Sequence, residues 1–201
     1  MFMKKLLCLL LACLMLTGCA GQKQKTSYTE EELPYGATMK SDKNSYTVPM
    51  TWDRRFLAPE QISAVADYLG AIEQNNPELY ASVALPLYTE YQVNEVYDYQ
   101  NVEELVNALH EGLLGQLADD FQMNMILVNE ISDDRNSGGL QAMLKLLDGI
   151  SEEKPFSETI QNAWLLNLEW EFSYNQGEGS GRTENQYLYL FQIDDKYYCC
   201  M

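Results

Sequence analysis

The chain is poor in the residues that build active sites. It has one histidine, His110, and beyond position 19 only two cysteines, Cys199 and Cys200. A single imidazole excludes any centre made of several histidines. Adjacent residues on an extended strand point to opposite faces, so Cys199 and Cys200 read as two separately packed thiols, with no disulfide framework. Bases are scarce as well: 13 Lys and Arg stand against 30 Asp and Glu, a formal charge of −17. An acidic surface repels a polyanion, which excludes nucleic acid as a partner. No apolar run reaches the roughly 20 residues that a membrane-spanning helix requires, and there is neither an internal repeat nor a low-complexity segment.

What is present begins with a short apolar run. Met1 to Lys5 is positive and Leu6 to Leu16 is almost wholly Leu, Cys, Ala and Met, the layout of a secretion signal. The run ends in Leu16-Thr17-Gly18-Cys19, which resembles the lipobox of bacterial lipoproteins. The resemblance implies a signal peptide over 1–18, diacylglycerol on the Cys19 thiol and cleavage before Cys19. The expected location is the extracytoplasmic face of the cell membrane, with the membrane as a partner through the lipid. Two or three acyl chains anchor stably where one does not. Residues 19–34 are polar and patternless and read as a tether, whose Lys23 and Lys25 lie within reach of anionic headgroups. From Cys19 to Arg55 there are six bases and five acids; from Phe56 onward, five bases and 25 acids. Arg54 and Arg55 are therefore expected to pair with carboxylates of the acidic body.

Residues 35–58 read as a lead segment with a short hairpin around the turn "SDKN", ahead of a domain over 59–201. Pro59 suits a first helical turn, and Ile62, Val65, Ala66, Leu69 and Ile72 follow at helical spacing. Asn75-Asn76-Pro77 stops that helix and starts another, which Pro86 bends or ends. Asn101 and Glu104 form a capping-box-like pair before a stripe of Val102, Leu105, Val106, Leu109, Leu113 and Leu117. Phe121, Met123, Met125 and Leu127 alternate as a strand. "DDRNSGG" reads as a loop and "LQAMLKLLDGI" as a short helix. Trp164, Leu166, Leu168, Trp170, Phe172 and Tyr174 alternate strictly, with Asn167, Glu169, Glu171 and Ser173 on the other face. "NQGEGSG" reads as a loop, and "NQYLYLFQI" and "KYYCCM" complete an antiparallel meander.

Helices followed by a meander define an α+β fold, helices packed on a curved antiparallel sheet. That order, with the ending "LYLFQIDDKYYCC", resembles the nuclear transport factor two-like (cystatin-like) domains and implies a cone-like shape with a pocket on its concave side. "YGATM", "DRRF" and "YYCC" are similar to stretches of lipoproteins from Gram-positive anaerobes, a likeness that implies no activity.

Chemistry is sparse. His110 sits at the edge of its helix stripe with no nucleophile motif beside it. Asp134, Asn136 and Gly138 have calcium-loop spacing, but Gly138 and Lys145 stand where oxygen ligands belong. No metal, cofactor or catalytic residue is expected. "YLYLF", Tyr187 to Phe191, is apolar on both faces, so each face needs a cover. Trp170, Phe172, Tyr187 and Tyr189 are the candidate ligand-lining residues. The expected function is a non-enzymatic, lipid-anchored binding module, with a homodimer, a ligand or a protein at the sheet face. The alternatives are an isomerase or hydratase of the same fold, using Glu169 or Glu171 in an apolar pocket, and a passive envelope protein.

Overall fold

The computed structural model describes residues 28–116 and 120–201. The signal segment, Cys19, the tether as far as residue 27, Leu117 and Asp119 lie outside the described residues. The chain divides into two compact units, Met1–Leu33 and Pro34–Met201. The described end of the first holds a 3-10 turn, Glu30–Glu32, where the Thr29 amide donates to Glu32 Oε2 at 3.1 Å.

The second unit is built on one six-stranded sheet in sequence order: β1 (Met39–Asp42), β2 (Met50–Asp53), β3 (Gln122–Ser132), β4 (Asn162–Tyr174), β5 (Gly179–Ile193) and β6 (Lys196–Cys200). The predicted hairpin is β1 and β2, and the meander is β4 to β6. The sheet is mixed, not antiparallel throughout, because β2 pairs with β3 in parallel. Parallel neighbours need a long crossover, which the helices between β2 and β3 supply. The expected domain boundary at Pro59 therefore falls inside the unit: Val48, Met50, Trp52 and Leu57 are all buried. Trp52 Nε1 donates to Leu57 O at 3.2 Å, and Tyr35 OH donates to Val128 O of β3 at 2.8 Å.

Five α-helices are described: α1 (Pro59–Glu73), α2 (Pro77–Val83), α3 (Pro86–Tyr91), α4 (Val102–Gln116) and α5 (Gly138–Ile150). Their starts follow the residues read as signals. Asn76 Oδ1 accepts the Leu79 amide at 3.1 Å, and Asn101 Oδ1 accepts the Glu104 amide at 3.0 Å, each satisfying an otherwise orphan donor. Pro86 separates α2 from α3. At the break the Leu85 amide donates to Cys199 O at 2.8 Å, covering part of the open edge of β6. Gly70 in α1 leaves no room for a Cβ because Thr47 lies against it, and this close approach seats the lead segment on the helix.

The sheet is covered on both faces from within the chain. The first and larger core joins α1, α2 and α4 to Met123, Ile126, Val128, Leu166, Leu168, Trp170, Phe172, Leu188, Leu190 and Cys199. The second joins Leu140, Met143, Leu144 and Leu147 of α5 and Phe156 to Ala163, Phe191 and Cys200. Cys199 and Cys200 are thus free thiols buried on opposite faces, and burial pushes both thiols well above their usual range.

Two strand readings change. The stripe Phe121, Met123, Met125, Leu127 holds only as far as Met123. A bulge at Asn124 puts one extra residue in β3 against β4, so Ile126 and Val128 become the buried residues while Met125 and Leu127 are half-buried. An inserted residue reverses the alternation beyond it. In addition, Gly179, Ser180 and Gly181, read as loop, belong to β5. The Phe172 ring lies over Gly181, where any Cβ would collide with it. The glycine there makes room for an aromatic neighbour instead of breaking the strand.

Candidate functional site

A cavity of about 260 Å³ lies between α1, α4 and the sheet. Tyr68, Leu69 and Ile72 of α1 form one wall and Leu109, Gly112 and Leu113 of α4 another; Met123, Trp170 and Gln186 form the floor. Gln92 closes one side. It stands at the start of a π turn, Gln92–Val96, that continues α3; the Tyr97 amide donates back to Gln92 O at 3.0 Å. A π turn inserts one residue into the helical ladder and is often found at functional positions. A second cleft, about 350 Å³, lies on the other side of this segment, between Ala84, Pro86, Val93 and Val102.

The floor is irregular where the cavity sits. Met123 borders the β3 bulge, and opposite Trp170 the β4–β5 register skips between Leu168↔Gln186 and Trp170↔Thr183. Asn185, inside that skip, has a φ of 58°, a conformation Asn tolerates better than most residues. Bulges re-aim side chains next to sites.

Two polar atoms distinguish the cavity. Trp170 is 5% exposed and Gln92 7%, and neither Trp170 Nε1 nor Gln92 Oε1 has a hydrogen-bond partner among the described residues. Burying such a group unpaired costs on the order of 1–3 kcal/mol, and most buried polar groups are paired. Tyr68 OH, by contrast, meets Tyr80 OH at 3.5 Å.

The four residues expected to line a ligand site do not come together. Trp170 and Phe172 face the first core and Trp170 borders the cavity. Tyr187 and Tyr189 pair with Asn167 and Leu165 and lie on the other face. Tyr189 is half-buried against the second core, its OH donating to Gly139 O at 3.4 Å, while Tyr187 is 51% exposed. The face of "YLYLF" that lacked a cover is covered by α5 over Tyr189 and Phe191.

The acidic candidates lie elsewhere. Glu171 is exposed. Glu169 is buried on the face away from Trp170, ion-paired with Arg182 and accepting from Asn129 Nδ2 at 3.3 Å. Glu73 adjoins Ile72 of the cavity wall in the chain. It accepts the Met123 amide at 2.5 Å, and burial raises its pKa above the usual carboxyl range. His110 Nδ1 lies 2.9 Å from Ile72 O, so that nitrogen carries the proton. Neither Glu73 nor His110 lines the cavity.

Arg55 pairs with Asp53, a residue of the lead segment and not of the acidic body. Asp53 is fully buried and accepts from Arg55 Nε at 3.0 Å, Arg55 Nη2 at 2.6 Å, Thr38 Oγ1 at 2.6 Å and the Gly36 amide at 2.9 Å. The guanidinium and these donors hold its carboxyl well below the usual range. Asp134 closes an Asx turn on the Asn136 amide at 2.9 Å. Among the described residues no group of His, Cys, Asp or Glu is arranged to hold a metal ion.

Gln92 and Glu73 escaped sequence reading. Glu73 ends a helix whose stripe was clear, and only tertiary packing buries it. Gln92 follows Thr89 by three residues on the inner side of a segment whose neighbours are apolar, a weak sign of a polar group pointed inward.

No protein-family model matches the chain, and neither a curated protein nor a solved structure matches it.

Proposed function

We propose that the chain is a lipid-anchored, extracytoplasmic binding module whose ligand site is the cavity beneath α1 and α4. The observation that carries this is an apolar cavity of about 260 Å³, two of whose lining residues, Trp170 and Gln92, each keep a buried polar atom without a partner among the described residues. A plain core fills such a space with apolar groups or pairs its polar atoms, whereas a ligand site is an apolar hollow with a few fixed polar groups. The lipobox ending at Cys19 supports the anchor. The order of helices then meander, with a cavity between them, supports a relationship to the nuclear transport factor two-like domains. Catalysis finds less support, because Glu169 and Glu171 lie away from the cavity and Glu73 stands behind its wall.

The anchor is tested by a fatty-acid probe: the parent should be labelled at the membrane, and Cys19→Ser should be neither labelled nor retained. Equal labelling of the two sinks that half of the reading. The cavity is tested with benzene, which enters apolar cavities of about 150 Å³. Benzene should raise the thermal midpoint of the parent and leave Leu109→Trp, in which the space is filled, unmoved. A parent that benzene does not stabilise removes the cavity from consideration.

A further inference from the structure

We propose that two adjoining clefts beside the π turn form a docking groove for a peptide segment of a partner protein, one that carries lysine or arginine next to a large apolar residue. This groove lies apart from the cavity beneath α1 and α4, and its occupancy is independent of whether that cavity holds a ligand.

The apolar cleft carries the proposal. It measures about 350 Å³ and is walled largely by Ala81, Ala84, Pro86, Val93 and Val102. Thr89 and Asn101 also line it. A cavity of about 150 Å³ holds benzene, so this cleft has room for a leucine, methionine or phenylalanine side chain. The π turn that supplies Val93 also leaves apolar groups in water: Val96, its last residue, is 47% exposed, and Tyr97, the next, 48%. Tyr97 stacks on Tyr99 with ring centroids 5.3 Å apart, which holds its ring in place at the surface. Neighbouring exposed apolar groups mark interaction surfaces.

Charge names the occupant. Glu90 and Asn94 line this cleft and also a larger one of about 790 Å³, which lies between the π turn, the end of α5 and the loop after it. Four carboxylates line the larger cleft, Glu90, Glu95, Glu152 and Glu153, against one ammonium, Lys154. All five side chains are exposed. None of the four carboxylates holds an ion pair among the described residues. Exposed carboxylates are solvated and mark no site by themselves; beside an apolar cleft they select what enters it. Tyr91 also lines the larger cleft, and an aromatic face attracts a guanidinium or ammonium.

Other occupants match one feature and not both. A second copy of the chain carries the same −17 and is repelled, as are anionic lipid and nucleic acid. A polyamine matches the charge but brings no side chain for the apolar cleft. A basic peptide with a large apolar residue answers both, its backbone linking the two clefts.

The test titrates four probes into the full-length chain carrying Cys19→Ser: a short acetylated peptide of alternating lysine and leucine, its analogue with glutamate for lysine, its analogue with serine for leucine, and spermine. The readout is the dissociation constant at low and high salt. The lysine–leucine peptide should bind about tenfold or more tightly than each other probe, and salt should weaken it. Ala81→Trp, at an exposed position of α2, fills the apolar cleft and should weaken the peptide about tenfold or more, the worth of one buried apolar side chain. Glu90→Lys should weaken it about threefold or more, since a pair is lost and a repulsion gained. Glu184→Lys makes the same change of net charge at an exposed residue of β5 that lines neither cleft, and should leave the constant within about twofold. Thermal melts establish that all three variants are folded. Equal losses in Glu184→Lys and Glu90→Lys would show that the acidic surface as a whole attracts the peptide, and the groove is then overturned. Spermine binding as tightly as the peptide overturns the peptide partner, and so does a parent dimer that Ala81→Trp dissociates, which makes the occupant a second copy. If no probe binds the folded parent, the docking groove is lost, while the benzene test of the cavity stands unaffected.

Discussion

Cys199 and Cys200 are neighbours in the chain, yet one enters each core, and the two faces they enter are finished differently. On the second face the two buried carboxylates both have partners: Asp53 holds Arg55, Thr38 and Gly36, and Glu169 holds Arg182 and Asn129. Strand alternation places Asp53 on this face, opposite Trp52. Where that face is apolar, α5 lies over it, and Phe156 meets Phe191 edge-on with ring centroids 5.4 Å apart. On the first face a larger core surrounds a hollow lined in part by Trp170 and Gln92, whose Nε1 and Oε1 have no partner among the described residues. Polar atoms are costly in any core; the carboxylates of the second face are paired, while Asn167 Oδ1 on that face, like Trp170 Nε1 and Gln92 Oε1 on the first, has no partner among the described residues.

The largest expected effect comes from exchanging the environments of one strand. Leu188 is fully buried in the first core, and its neighbour Tyr187 is 51% exposed on the second face. Leu188→Lys buries an unpaired charge, whose cost is comparable to a whole domain's stability of about 5–15 kcal/mol. The variant should show no cooperative melt. Tyr187→Lys should change stability by less than about 0.5 kcal/mol, as surface substitutions do. If Tyr187→Lys unfolds the protein as thoroughly, the second face is covered beyond α5 and the comparison fails at its simplest point.

The next effect concerns the polar closure of the second face. Asp53→Asn keeps the shape and removes the charge that Arg55 needs; Arg55 is only 11% exposed at its side chain. Breaking a buried pair from one side costs about 3–5 kcal/mol, read as a drop in the urea midpoint. The pH dependence follows in sign. Asp53 has a folded pKa below its unfolded value, so its contribution is complete above about pH 4 and is lost as pH falls toward the folded value. Glu73 acts oppositely: its folded pKa is raised, so its contribution is present at low pH and lost as pH rises through that value. The parent should therefore lose stability below about pH 4, and Asp53→Asn should flatten that acid limb. An acid limb unchanged by the substitution would assign acid sensitivity to other carboxyls.

How far the sequence foretold this contrast depends on the range over which each signal acts. Local signals were readable: Pro59, Asn76-Pro77 and Asn101 start helices where expected, and the alternation from Trp164 to Phe172 names the inner face of β4. The α5 segment was recognised as a helix, but its place over Phe191 was not, because nothing local says which sheet face a helix covers. The parallel pairing of β2 with β3 joins residues more than 70 positions apart and leaves no trace in composition, so the lead segment was set outside the domain. One extra residue at Asn124 reversed the phase of β3. Gln92 lies at the start of the π turn after Pro86, where the sequence carries no apolar periodicity that would mark its inward face. Of the four aromatic candidates, Trp170 borders the cavity, while Tyr187 and Tyr189, grouped with it by aromaticity, lie on the opposite face by register.

The smallest expected effect is the sharpest test of the contrast. Trp170→Phe and Gln92→Leu each remove a buried polar atom that has no partner among the described residues, and each leaves a side chain of similar apolar reach. Had these atoms been hydrogen-bonded, as Glu169 and Asp53 are, removal would cost stability. Unpaired, they contribute only their desolvation penalty, so the substitutions should be neutral or stabilising by up to about 1 kcal/mol, less whatever Trp170→Phe loses in ring contacts. Functional sites can carry such a penalty at a cost to stability. Urea melts of both variants and the double variant decide it, since the pair share one cavity and are expected to couple. Should either single variant lose more than about 2 kcal/mol, its polar atom is paired in solution, and the first face is then closed in the same way as the second.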